Sequence, residues 1–185
     1  MGEERVRLPL SLLSVFGVLL VLEVLVTIVI LEGLLHVKSW PAFVAMILFF
    51  VVHQNRKEIP NIVIGGAFGI LNFFLCMLFV SAVAPAFGGP EELAQLISVM
   101  IYVAVFVFLI VVLAERLPWL FNAYAFMYFT VAFADLASFL ENNIVWIYWL
   151  AVELIGGTLL ILGVLGISVV VAKMMAKRAA KAGES

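Results

Sequence analysis

The chain has 185 residues, of which 66% are hydrophobic and 12% are charged, and its formal net charge is -2. A soluble domain of this size needs more polar side chains to cover its surface, so the composition excludes a water-soluble globule and indicates a lipid environment. The small net charge, with basic residues at segment ends, argues against nucleic-acid binding. The single cysteine, Cys76, excludes a disulfide framework and a multi-thiolate metal site.

Six apolar stretches follow one another along the chain. The first, third, fourth and sixth are long enough to cross the hydrocarbon core, and they predict transmembrane helices. The second, which begins at Trp40 and Pro41, gives a helix of only about 20 Å, so it is either a short span or a re-entrant hairpin. The six stretches are residues 8–31, 40–52, 59–83, 93–113, 117–134 and 144–172.

The distribution of basic residues favours six crossings over re-entrant second and fifth segments. With six crossings and a cytoplasmic N-terminus, Lys38 is the one basic residue on the outer side. Re-entrant segments would weaken this asymmetry, which normally sets orientation. The sequence therefore predicts a multi-pass protein of the inner (cytoplasmic) membrane with both termini cytoplasmic. The basic residues on the cytoplasmic side are then Arg5, Arg7, Arg56, Lys57, Arg116, Lys173, Lys177, Arg178 and Lys181.

The two halves of the chain resemble each other. Residues 41–46 (PAFVAM) and 122–127 (NAYAFM) each follow an apolar helix that ends in a glutamate, and the sequence IGG recurs in the third and sixth stretches. The turn-rich linker at residues 84–90 predicts a boundary between a first repeat, residues 1–88, and a second repeat, residues 89–185, with a basic tail. Because each half holds three crossings, the repeats would be inverted. The predicted fold is an all-α polytopic membrane protein of six helices; chance similarity of apolar strings is the alternative for the repeat.

Two acidic residues lie well inside apolar stretches. Glu23 is in the first and Glu153 in the sixth, and with six crossings both fall in the outer half of the membrane. Ionisable groups in a bilayer are costly, and no lysine or arginine occurs inside any stretch to neutralise them. They are therefore candidate cation ligands or proton carriers. The alternative is a protonated carboxyl that joins two helices by hydrogen bonds.

Further candidates are polar or small residues in the other stretches. An inverted-repeat transporter holds its site at short helices, which allow polar groups to line a cavity. Asn72, in the third stretch, either lines a pore or joins two helices. The tryptophans at positions 40, 119, 146 and 149 predict anchors at the headgroup level. The remaining candidates are Asn122, Tyr124, Tyr128 and Thr130 for the pathway, and Gly65, Gly66, Gly69, Gly156 and Gly157 for helix packing.

No catalytic or cofactor motif is visible in the sequence. His36 and His53 sit at segment ends without a second ligand at metal-binding spacing. The chain contains no Gly-x-Ser-x-Gly, His-Glu-x-x-His or phosphate-binding loop. We therefore predict no catalytic residues, no metal and no cofactor, and we do not expect an enzyme.

The run Ser39-Trp40-Pro41-Ala42-Phe43, followed by aromatic pairs and a glycine-rich third helix, resembles small bacterial inner-membrane proteins of the domain of unknown function 1097 type. A weaker second block covers residues 122–134, and the resemblance extends over about a third of the chain. It implies a compact prokaryotic multi-helix membrane protein. It brings no catalytic residues to carry over, because the function of that family is unassigned.

Together these features favour a channel or secondary transporter for a small cationic or neutral solute, with proton coupling through the membrane carboxylates left open. An anion pathway would need basic rings or helix N-termini at the site. The alternative is a non-transporting assembly or sensory subunit that packs against other membrane proteins. Six helices in 185 residues leave little interior. A conduit would therefore be narrow within one protomer or formed between protomers of a homo-oligomer.

Overall fold

The structure is a computed structural model that describes residues 9–183, and over that range it is helical without strands. Three residues used in the topology prediction, Arg5, Arg7 and the side chain of Lys181, lie outside the described part. The π-helical segment Val29–Leu34 continues α1, and a second π-helical segment, Val152–Gly157, joins α7 to α8. The helices are α1 (Leu10–Ile28), α2 (Trp40–Val51), α3 (Ile59–Phe87), α4 (Glu91–Leu113), α5 (Ala123–Ala134), α6 (Leu136–Glu141), α7 (Val145–Ala151) and α8 (Thr158–Gly183).

Four of the helical stretches are long and apolar enough to cross a membrane by length and composition: Leu10–Leu34, Arg56–Phe87, Glu91–Leu113 and Val145–Ala180. They coincide with the four long helices predicted from the sequence, which are confirmed as helices. Many leucines, valines and isoleucines on α1 and α4 are exposed. This apolar surface is compatible with a membrane location, because exposing apolar side chains costs free energy in water but not in lipid.

The two short helices, α2 and α5, connect opposite ends of the bundle. At one end, which we name the Trp40 end, the Trp40 indole N–H donates to Asp135 Oδ2 at 3.2 Å. At the other, the Gln54 end, the Ser168 hydroxyl donates to Gln54 Oε1 at 3.0 Å. Helix α2 therefore runs from the Trp40 end to the Gln54 end, and α5 runs back. Each has 12 residues and is about 18 Å long.

Each short helix packs against a long helix from the other half of the chain. Helix α5 lies on α3, and α2 lies on the π-helical segment Val152–Gly157 and on α8. The outer helices follow the same pattern, because α4 packs on α3 and α1 packs on α8. Exchanging the first half for the second therefore exchanges these four packed pairs with one another.

The predicted linker at residues 84–90 is longer than the turn in the structure. Helix α3 continues through Pro85 to Phe87, so only Gly88, Gly89 and Pro90 connect it to α4. A proline in the last turn removes a single backbone hydrogen bond, which is less costly there than in the helix interior. The reversal depends on Gly88 and Gly89, whose φ angles of 65° and 80° are unfavourable for residues with a Cβ.

The fifth apolar stretch, residues 117–134, is helical only from Ala123. Residues 117–122 form turns, and the Asn122 side chain accepts a hydrogen bond from the Ala125 N–H at 2.9 Å. This contact caps the first turn of α5, so the helix begins there although the apolar composition begins earlier.

Gly69 allows α5 to approach α3 closely, and its replacement should be costly. A Cβ at Gly69 would overlap the Ala125 carbonyl oxygen and lie 2.8 Å from the Tyr128 Cβ. We expect Gly69→Ala to lower the stability by about 1–3 kcal/mol, measured as a lower thermal midpoint in detergent. Gly166→Ala is the control, since nothing lies within 4 Å of that Cβ. It should leave the midpoint unchanged or raise it, and equal losses in both variants would contradict the close packing.

Candidate functional site

Glu153 lies at the point where α2, α3 and α5 meet the π-helical segment. Its side chain is 0% exposed. Its Oε2 atom is hydrogen-bonded to the Tyr128 hydroxyl of α5. The same hydroxyl lies 2.8 Å from the carbonyl oxygen of Pro41 at the start of α2. One hydroxyl group thus connects α5, α2 and the π-helical segment. Tyr128 is the sixth of the twelve residues of α5, so this contact lies halfway along that helix.

Two glycines make the space that the Glu153 carboxyl occupies. A Cβ at Gly66 of α3 would lie 2.6 Å from Glu153 Oε1 and 2.7 Å from the Tyr128 ring. A Cβ at Gly157 would lie 3.1 Å from Glu153 Oε2 and 2.9 Å from the Ala45 Cβ of α2. Glycine is required at both places, because any side chain would displace the carboxyl or the facing helix.

Two buried polar atoms near this centre have no hydrogen-bond partner among the described residues: Glu153 Oε1 and the indole nitrogen of Trp149. Trp149 precedes Glu153 by four residues, about one helical turn. Buried polar atoms are almost always paired, and leaving one unpaired costs roughly 1–3 kcal/mol. The unpaired Glu153 Oε1 atom lies on a π-helical segment, a feature that is frequent at functional sites, and it identifies this position as the candidate site.

Aromatic rings enclose the site toward the Trp40 end. The Trp40 and Trp149 rings are edge to face with centroids 5.3 Å apart, and Trp40 lies 6.3 Å from the Tyr128 ring. Trp149 is 0% exposed, so our prediction that it anchors the protein at the headgroup level is wrong. Packing of α7 against α3 and α2 covers this ring, whereas Trp119 is 61% exposed in a turn at the Gln54 end.

A cavity of about 390 Å³ opens at the Trp40 end and reaches Trp149. Charged and polar side chains contribute to its wall, together with the α6 to α7 connection. Trp149 lines this cavity, and Glu153 lies about one helical turn further along the chain. The lining residues are Leu35, His36, Val37, Lys38, Ser138, Glu141, Asn142, Val145, Tyr148 and Trp149.

The second predicted carboxyl, Glu23, is at a different place. It is half-buried on α1, its Oε2 atom has no partner among the described residues, and its carboxyl contacts Gly163 of α8. Gly163 follows Glu153 by ten residues, about 15 Å along the helix. A cleft of about 340 Å³ between α1 and α8 includes Glu23 and is otherwise mostly apolar. The structure does not bring the two carboxyls together.

The two predicted asparagines make structural contacts. The Asn72 amide donates to the Phe68 carbonyl at 2.9 Å, and its oxygen accepts from the Tyr102 hydroxyl of α4 at 3.2 Å. Asn72 therefore joins α3 to α4. Asn122 caps α5 and donates to the Pro118 carbonyl at 2.8 Å. Its side chain also fills the space beside Gly65, where a Cβ would lie 2.5 Å from Asn122 Oδ1.

Of the remaining predicted pathway residues, Tyr128 is the one that is hydrogen-bonded to Glu153. The Tyr124 hydroxyl donates to Glu58 Oε2 at 3.2 Å, at the Gln54 end. Thr130 is exposed, and its hydroxyl donates to the Phe126 carbonyl of its own helix at 2.8 Å. Gly156 faces α2, since a Cβ there would lie 3.2 Å from the Ala42 Cβ.

Two contributors to the site were not predicted from the sequence: the Pro41 carbonyl and the Trp149 indole. Trp149 was identifiable, because a spacing of four residues places it on the helix face of Glu153. The role of Pro41 was not identifiable, since a backbone oxygen is recognised only when tertiary packing brings a donor to it.

No protein family model, curated protein or solved structure matches this chain. Among residues 9–183 no cluster of three or more histidine, cysteine, aspartate or glutamate residues is arranged to hold a metal ion. The fold and the site together define an all-helical protein with four candidate membrane-spanning helices and a buried carboxyl at the centre of the bundle.

The shared hydroxyl of Tyr128 should contribute to stability. Tyr128→Phe leaves Glu153 Oε2 and the Pro41 carbonyl without this partner, so we expect a loss of about 1–3 kcal/mol and a lower thermal midpoint. Tyr148→Phe is the matched control, because Tyr148 is 47% exposed and loses only a hydroxyl at the surface. Its effect should stay within about 0.5 kcal/mol. Equal midpoints for the two variants would show that the buried hydroxyl is not a structural contact.

Proposed function

We propose that the protein is a membrane channel or secondary transporter for a small cationic or neutral solute, and that Glu153 and Tyr128 form the centre of its pathway. The observation that carries this proposal is the fully buried Glu153 carboxyl, whose Oε1 atom has no partner among the described residues. An ionisable group deep among membrane helices is expensive and marks a solute or proton site by default. A carboxyl that only joined helices would be expected to use both oxygens.

The polar cavity at the Trp40 end supports the same function. Its wall includes Trp149, which precedes Glu153 by one helical turn. The carboxyl itself is fully buried, and α5 packs closely on Gly66 and Gly69 of α3. A buried site of this kind suits a transporter in an occluded state, in which a barrier must move before solute enters.

We further propose that the chain crosses the membrane six times, as inverted repeats of residues 1–88 and 89–185. The short helices α2 and α5 connect the same two ends as the long helices, which supports counting them as crossings. The corresponding pairs α5 on α3 and α2 on α8, and α4 on α3 and α1 on α8, support the repeat, since each short helix lies on the glycine face of the other half. Inverted repeats with a central site between them are typical of secondary transporters.

The basic residues support an orientation with the Gln54 end in the cytoplasm of a prokaryotic cell. Arg56, Lys57 and Arg116 lie in connections at that end, and Arg178 donates to the Ser11 hydroxyl at 2.8 Å, which places the start of α1 beside the last turns of α8. Lys38 lies at the Trp40 end. The positive-inside rule then puts the termini inside, and the resemblance to the small inner-membrane family is in accord with that location.

The topology can be tested by labelling single introduced cysteines with a membrane-impermeant maleimide. Glu91→Cys and Glu141→Cys, at the Trp40 end, should react in cells whose outer membrane alone is opened. Asn55→Cys and Glu115→Cys, at the Gln54 end, should react only after the inner membrane is permeabilised. Cys76 is buried and should give no background. Labelling of Asn55→Cys and Glu141→Cys from the same side would contradict six crossings.

Transport can be tested in liposomes that contain the purified protein. We propose stopped-flow assays with protons, monovalent cations, ammonium and small neutral solutes. Glu153→Gln should reduce the flux at least about tenfold, the effect of about 1.4 kcal/mol on the barrier. Glu92→Gln, an exposed substitution in the first turn of α4, should leave it unchanged. Glu23→Gln tests the separate cleft on α1.

The controls decide between transport and the alternative function. All variants must run as folded protein on gel filtration before their fluxes are compared. If folded wild-type protein passes none of the solutes, the non-transporting assembly or sensory subunit becomes the better proposal. If Glu153→Gln transports as well as the wild type, the pathway does not depend on this carboxyl.

A further inference from the structure

We infer that the solute is a weakly hydrated monovalent organic cation that replaces a proton on Glu153, so that each cation transported is exchanged for one proton. This inference rests on the proposed transport function and specifies its substrate class and coupling. It follows from the hydrogen bonds at the site, from the charges around it and from the aromatic rings beside it.

The hydrogen bonds at Tyr128 accommodate a proton on Glu153. The Tyr128 hydroxyl has two oxygen neighbours, Glu153 Oε2 and the Pro41 carbonyl. With Glu153 protonated, the carboxyl donates to the Tyr128 oxygen and the hydroxyl donates to the Pro41 carbonyl. The site then carries no net charge, whereas an ionised carboxylate would be buried without a compensating cation, which costs several kcal/mol.

Among the described residues, the groups packed around Glu153 offer no positive charge that would stabilise the ionised form. Helix α5 contributes the Tyr128 phenol, α3 contributes Gly66, and α2 contributes the Pro41 carbonyl and Ala45. No lysine or arginine occurs in any of the six apolar stretches. On the approach from the Trp40 end, titratable side chains lie in the cavity wall and beside Trp40; they are His36, Lys38, Glu141 and Asp135.

Charge balance then selects a monovalent cation. The exchange is Glu–COOH + M⁺ → Glu–COO⁻·M⁺ + H⁺, with the proton passing to water at the open side of the site. A monovalent cation leaves the buried site neutral, whereas a divalent cation or an added anion would leave a net charge that costs several kcal/mol. At the other face of the membrane the reverse step releases the cation and returns a proton to Glu153. One cycle therefore moves one cation and one proton in opposite directions.

The aromatic rings favour an organic cation over a strongly hydrated metal ion. Tyr128 contacts the carboxyl, and the Trp40 and Trp149 rings are packed beside Tyr128 and one turn before Glu153. Ring faces attract a cation within about 6 Å, and the attraction grows when the cation gives up water. Guanidinium and alkylammonium ions lose their hydration more easily than sodium, so the site is suited to them.

The experiment uses proteoliposomes that contain a trapped pH-sensitive dye. The chloride salt of guanidinium, tetramethylammonium, sodium or potassium is added outside. The membrane potential is clamped at zero with valinomycin and equal potassium concentrations on both sides, except where potassium is the solute tested. Inward movement of a cation against an outward proton makes the interior alkaline. We expect this change with guanidinium or tetramethylammonium, unaffected by the clamp, and at least about tenfold slower in Glu153→Gln. Glu92→Gln should match the wild type.

Each outcome decides a separate point. Cation uptake by the wild type without a pH change would overturn the exchange and leave transport intact. A flux confined to neutral solutes, or to sodium and potassium, would overturn the substrate class. Absence of any flux from folded protein would overturn the proposed function itself. Since the wild type alone answers these points, a Glu153→Gln variant that fails to fold does not prevent the test. Glu153→Asp, which keeps a carboxyl, should then retain the pH change at a lower rate.

Discussion

The close approach of two short helices to glycine faces is the contact on which the rest of this structure depends. Helix α5 lies so near α3 that a Cβ at Gly69 would overlap the Ala125 carbonyl, and a Cβ at Gly157 would lie 2.9 Å from Ala45 of α2. Lipid chains are as apolar as the side chains, so the hydrophobic effect contributes little to helix association there. Dispersion contacts at short range must hold the helices together, and glycine permits that range.

Glycines of these faces also create the central site. Where the short helices meet the long ones, the absent side chains of Gly66 and Gly157 leave room for the Glu153 carboxyl. The π-helical turn sets Glu153 into this space, and the Tyr128 hydroxyl then connects it to the Pro41 carbonyl. Packing and chemistry are therefore not independent here. A helix that approached less closely would leave the carboxyl exposed to lipid, and a closer one would exclude it.

Much of the fold was predictable because lipid imposes simple rules on sequence. Long apolar stretches indicate where the helices lie, and the glycine pairs indicate where helices approach each other. Glu153 was identifiable from the same rules, as a costly group without a basic partner. Individual contacts were less predictable. Asn122, read as a pathway residue, caps α5, and Trp149, read as a surface anchor, is buried beside the site. An asparagine can line a pathway or cap a helix, and a tryptophan can lie at the headgroup level or in the interior. The neighbouring residues decide between these roles.

The amino-acid order alone was enough to predict the helical, apolar character of the chain, the places of its long helices and the two acidic residues within them. These properties depend on composition and local spacing, which a single stretch already contains. The tertiary structure alone decided that Glu153 is at the centre while Glu23 faces a cleft on α1, and that a proline carbonyl 112 residues earlier shares its tyrosine partner. Such pairings join residues that are distant in the chain, and only the packing of whole helices brings them together.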